Sequence, residues 1–180
     1  TSAPYYLTSV LSPTQIQIDS NGIVHVIILL QEGTHLEGTV TVPTGEIKHF
    51  LAKFNALTGD LVAPAVELPI TGGMAEQTSN FRYDEASNIY YITGIRTDYS
   101  LGGDSFPFVY NNVPVNGNAY ILAISGTTYQ ELWRHEGTRN APNLDVISID
   151  DIQIDNQSHV YVSGRYSNHP EYPGVYLGTH

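Results

Sequence analysis

Three aspartates, Asp19, Asp84 and Asp155, each open a polar turn between two alternating segments. The third stands in the densest oxygen cluster of the chain, formed by Asp150, Asp151, Asp155 and Asn156. Hard cations take clustered carboxylate and carbonyl oxygens, so Asp150, Asp151 and Asp155 are candidate calcium ligands. An EF-hand spacing ending in a bidentate Glu is absent. An Asp at the start of a hairpin turn also accepts local backbone N–H bonds without any metal, and that role carries more weight. His25, Tyr90, Tyr91 and Tyr161 lie on the alternating segments, where neighbours point to opposite faces. Tyrosines stacked on one open face bind sugar rings, which makes Tyr91 and Tyr161 candidate ligand contacts. Packing between sheets is the commoner use of such rings, and Trp133 is likewise read as core.

Catalysis finds little footing. Seven histidines are present, but no His-x-His or His-Glu-x-x-His spacing sets two of them on one face. His135 with Glu136 and His169 with Glu171 are loop pairs with weak metal-binding character. Ser148 and Ser163 lack a Gly-x-Ser-x-Gly context. Glu131, Glu136 and Asp145 are nominal acid–base carboxylates for glycoside cleavage, a chemistry decided by distances rather than by sequence. Cysteine is absent, which removes disulfides, thiolate metal sites and cysteine nucleophiles. No catalytic residue is assigned, and calcium is the one cofactor in view.

The 180 residues carry a formal net charge of -11 with only two lysines, Lys48 and Lys53. Such a surface repels phosphate backbones, so no nucleic-acid partner is expected. No apolar run reaches the roughly 18 residues of a spanning helix, and no basic amphipathic stretch suits an anionic membrane. Charged residues make up 14%, against 13 Tyr and 16 Gly, a balance that favours short strands and tight turns. The chain begins Thr-Ser-Ala rather than with Met, which reads as a processed amino terminus or a piece of something longer. Few lysines with many Tyr, Thr, Asn and Gly point to an exported product, extracellular or at the cell surface.

The elements that position these residues follow from alternation and turn signals. A strand is expected over 5–11, and a hairpin over 16–30 with Asp19-Ser20-Asn21-Gly22 as its turn. Residues 31–48 read as a polar loop holding a short strand, Thr39-Val40-Thr41-Val42. A strand over 49–55 turns through Leu57-Thr58-Gly59-Asp60 into another over 61–68. A second hairpin spans 81–94, followed by the longest loop, 97–118. Segment 119–126 turns through Gly126-Thr127-Thr128 into 129–134; a linker over 135–143 leads to a third hairpin over 146–164. No segment keeps a helical period, so the chain is read as all-β.

The repeat is measurable. Asp19, Asp84 and Asp155 stand 65 and 71 residues apart, and Phe50 and Tyr120 stand 70 apart. Val24-His25-Val26, Tyr90-Tyr91-Ile92 and Val160-Tyr161-Val162 form one column of the repeat, with one extra turn residue in the second copy. A four-strand unit of this length repeated about an axis is the signature of a β-propeller.

The run from Asp155 through Val160-Tyr161-Val162-Ser163-Gly164, followed by Tyr172-Pro173-Gly174, resembles the SBBP (seven-bladed β-propeller) repeat of bacterial exported and surface proteins. Asn88-Ile89-Tyr90-Tyr91-Ile92-Thr93-Gly94, Phe106-Pro107 and Leu132-Trp133 match it in the second copy; the first departs, with Ile28 in place of Gly and no Trp. The resemblance implies a propeller fold and an exported or surface setting, and supplies no common catalytic residues.

The expectation is therefore one β-propeller-like domain over 1–180, an array of about three four-stranded blades with repeat hairpins near 14–30, 80–96 and 146–165. The third copy would need its second strand pair about 31 to 36 residues after Asp155, past His180, so another chain or a missing segment would complete the array. Exposed sheet edges would otherwise invite aggregation. The expected function is a non-catalytic structural or interaction module that binds a protein partner or itself, with loops 31–48 and 97–118 as contact surface. The alternative is a carbohydrate-binding or glycan-active propeller.

Overall fold

The computed structural model describes residues 16–71, 80–95, 108–117, 119–138, 148–165 and 176–177. The expected strand over 5–11 and most of the loop over 97–118 lie outside them. Among the described residues the fold is all-β: strands joined by turns and one 3₁₀ turn, arranged in several antiparallel sheets, none closed on itself.

The first sheet is a four-stranded meander of β1 (Gln17–Ile18), β2 (Ile23–His35), β3 (Val40–Asn55) and β4 (Leu61–Glu67), paired in chain order. The Asp19 turn and the Asn55 turn are where the sequence puts them. Asn55 Oδ1 accepts the backbone N–H groups of Leu57 and Thr58, closing the second turn. The loop expected over 31–48 is a correction: β2 and β3 run on as a two-stranded ribbon, with Gly33, Thr34 and His35 opposite Val42, Thr41 and Val40. A register shift between Gln31 and Gly33 explains why the alternation looks broken, and Gly33, at φ 127°, takes a conformation that L residues avoid. The ribbon turns through Leu36–Gly38, where Thr39 Oγ1 donates to the Leu36 carbonyl.

Past β5 (Ile70–Thr71), the second sheet repeats the plan with β6 (Asn80–Asp84), β7 (Ile89–Ile95), β10 (Ala119–Ser125) and β11 (Glu131–Thr138), in the order β6-β7-β10-β11. The strand β11 enters the span read as a linker. Residues 119–124 are all buried, because this sheet is covered on both faces. A small hairpin, β8 (Val109–Tyr110) and β9 (Val113–Pro114), pairs back onto β5 with Tyr110 opposite Ile70. The third sheet contains β12 (Ser148–Ile154) and β13 (Val160–Arg165), and β14 (Tyr176–Leu177) pairs back onto the end of β11. Residues 107–110 and 173–176 share a Pro-x-Val-Tyr pattern; the first runs into β8, which pairs with β5, and the second into β14, which pairs with β11.

Two apolar clusters join the sheets. Leu51 and Ile27 of the first sheet meet Phe81, Tyr90, Ile92 and Tyr120 of the second, with Phe108 and Tyr110 beside them. On the opposite face of the second sheet, Tyr91, Ile121 and Ala123 meet Ile149 and Ile152 of the third. Tyr90 and Tyr91 point to opposite clusters because they are strand neighbours.

Candidate functional site

Each turn aspartate closes its own turn. Asp19 Oδ1 accepts the N–H groups of Asn21 and Ile23, both at 2.9 Å, and Oδ2 lies 3.2 Å from His25 Nε2. Asp155 Oδ1 accepts the N–H groups of Gln157 and His159, and Oδ2 accepts the Tyr161 hydroxyl at 3.1 Å and faces His159 Nδ1 at 3.0 Å. Asp84 accepts the Ala86 N–H and the Ser87 hydroxyl. The carboxylate thus closes the turn, and in the first and third copies it also tethers the ring on the next strand. The His159 backbone N–H leads the set of donors that pulls the Asp155 carboxyl down to about 2.

His25 is 2% exposed and joins the first sheet to the second. Its ring stacks on Tyr83 at 4.3 Å, and Nδ1 lies 2.8 Å from the Tyr90 hydroxyl. Burial holds the imidazole below its usual range against the pull of Asp19. A neutral ring with its proton on Nε2 satisfies both nitrogens: it donates to Asp19 and accepts from Tyr90. Asp19–His25–Tyr90 has the connectivity of an acid–base relay, but its terminal hydroxyl belongs to a fully buried side chain whose acidity burial suppresses. The chain of bonds pins two sheets together.

The turns also touch one another. Glu85 accepts the Ser20 N–H and hydroxyl and the Asn21 amide, tying the first turn to the second. Against burial, the Ser158 side chain of the third turn is among the groups that hold the Asp84 carboxyl of the second below its ordinary range. Asn80 Nδ2 donates to the carbonyls of Ile149 and Asp150, and Arg82 pairs with Asp151 at 3.3 Å.

The candidate ligand tyrosines part company. Tyr91 is 3% exposed and packs between the second and third sheets, 5.8 Å from Trp133. Tyr161 occupies the same column in the third sheet and is 58% exposed. Of the calcium candidates, Asp151 also accepts its own strand's Ile152 N–H and the Gln153 amide. Asp150 and Asp151 sit at the β12 bulge, while Asp155 opens the turn. Among the described residues, no three His, Asp or Glu side chains converge as a metal group.

Glu131 and Glu136 both pair with Arg134, and Glu136 Oε2 accepts the N–H groups of Asn116 and Gly117. His135 packs on Trp133 at 5.1 Å. Ser163 is exposed on β13 and Ser148 begins β12; Asp145, His169 and Glu171 lie outside the described residues. Sequence reasoning missed the Asp19–His25–Tyr90 chain and the Glu85 clasp, whose partners stand about 65 residues apart; the column aligning His25 with Tyr91 was the available signal. Comparison with protein-family models, curated proteins and solved structures gives no match to this chain.

Proposed function

We propose that this chain is a non-catalytic structural and interaction module of an exported or cell-surface protein, built as a propeller-like stack of sheets. One observation carries the reading. In the column His25, Tyr91, Tyr161, the first two rings are buried by the following sheet, whereas Tyr161 is open and held in place by Asp155. An exposed aromatic presented on a tethered strand is a docking surface of the kind that protein interfaces bury. Light scattering over a concentration series tests it: the module forms a discrete assembly, and Tyr161→Glu returns it to single chains. A wild-type chain that stays single and turns over a glycoside would end this reading.

The same exposed ring favours one alternative, a glycan-binding face with Tyr161 as the stacking platform. Calorimetric titration with neutral oligosaccharides separates the two, since only the alternative gives heat that Tyr161→Ala abolishes.

A further inference from the structure

The sheets within the chain join by one rule. The residue before each turn aspartate lies on the face towards the preceding sheet, and the ring in the His25 column lies on the face towards the following one. Tyr83, before Asp84, stacks on His25. Ile154, before Asp155, packs into the cluster that contains Tyr91. Among the described residues, the rule leaves one half of the contact over in the first sheet and the other half over in the third. Ile18, before Asp19, is 63% exposed, and Tyr161 is 58% exposed.

The register supports the assignment. Ile18 is paired with Val24 and Gln17 with His25, so Ile18 faces away from the second sheet. Gln153 is paired with Tyr161, so both lie on the face of the third sheet that turns away from Ile152 and the second. Ile16, two residues before Ile18, is also exposed. The two leftover surfaces differ in kind: a small apolar patch of Ile16 and Ile18, and a ring whose hydroxyl donates to Asp155 beside a Gln153 amide that donates to Asp151.

We propose that these surfaces meet between two copies of the chain, with Ile18 of one copy seated on Tyr161 of the next. The inference rests on the interaction-module reading and names its partner as a second copy. The contact joins two different surfaces, so it is heterologous: copies stack head to tail and either close into a ring or extend. With -11 charges on each copy, repulsion opposes association at low salt, and added salt strengthens it.

The absence of cysteine makes the test direct, because each introduced thiol is unique. Ile18→Cys and Tyr161→Cys chains are mixed and treated with a bismaleimide about 10 Å long, the spacing of facing sheets. The expected product is a covalent pair from the mixture, with little from either variant alone. Leu57→Cys, on an exposed turn, replaces Ile18→Cys as the control and gives none. A chain carrying both cysteines should yield a ladder or one closed multimer. Ile18→Glu should raise the midpoint concentration of assembly at least about tenfold.

Each contrary result overturns the proposal in its own way. A link formed within one doubly substituted chain would show that its own ends meet. A product from Tyr161→Cys alone would show a symmetric contact, with the module reading intact. Single chains at every concentration and no product would remove the second copy and the self-association behind it together.

Discussion

Replacing Tyr90 by Phe removes one oxygen from a fully buried site and leaves the ring packing unchanged. In the native chain that oxygen lies 2.8 Å from His25 Nδ1, while Nε2 is engaged by Asp19 at 3.2 Å. The variant strands Nδ1 in a site from which water is excluded, since His25 is almost wholly buried. The other tautomer offers no escape, because it turns a lone pair towards the Asp19 carboxylate. The loss combines a hydrogen bond with the desolvation of an orphaned acceptor, about 1–3 kcal/mol. For a chain of this length that corresponds to a fall in Tm of roughly 2–12 °C. Urea unfolding at pH 7.5 reads it directly. His25→Phe leaves the Tyr90 hydroxyl and one Asp19 oxygen short of a partner, so it also destabilises. The double variant should be milder than the two single losses added, with a coupling above about 0.5 kcal/mol. A Tyr90→Phe chain within about 0.5 kcal/mol of the parent, or strict additivity in the cycle, would refute the inter-sheet bond.

Acid sensitivity follows from two histidines. Burial lowers the His49 imidazole to about 4, and His25 is lowered as well. Both therefore bind a proton more readily in the unfolded chain, so stability is complete above about pH 6.5 and falls as pH drops below it. For His49 the loss by pH 4 reaches up to about 3 kcal/mol. His49 Nε2 has no hydrogen-bond partner among the described residues, so His49→Leu should flatten the urea midpoint between pH 6.5 and 4 without harming stability at pH 7.5; an unchanged slope would remove His49 from the account. Gly126→Ala should cost about 1–3 kcal/mol by thermal unfolding, because the new Cβ would run into Asn88 Oδ1 and lie 2.8 Å from the Asn88 carbonyl. A neutral result there would mean that the Asn88 turn moves aside freely.

The hairpins at Asp19, Asp84 and Asp155 were legible because two local signals coincide, strand alternation and an aspartate that can bond its own turn. The strands at 49–55 and 119–125 were legible as apolar runs ending in a side-chain-capped turn. Residues 31–48 misled because Gly33, Pro43 and Gly45 are loop formers by composition, yet the ribbon absorbs them at its bulge and along an exposed edge. The returns of β8 onto β5 and of β14 onto β11 rest on two residue pairs each, too short to leave a period. At the candidate site, the column His25, Tyr91, Tyr161 was visible as a column. Its burial was not, because alternation assigns a residue to a face without saying whether another sheet covers that face.

The stacking rule is tested most directly by the solution mass of the chain, followed by light scattering against concentration at moderate salt. The account predicts a discrete multiple of the single-chain mass for the parent, and the single-chain mass for both Ile18→Glu and Tyr161→Glu. A parent that remains single throughout, or an assembly that both substitutions leave intact, would contradict it.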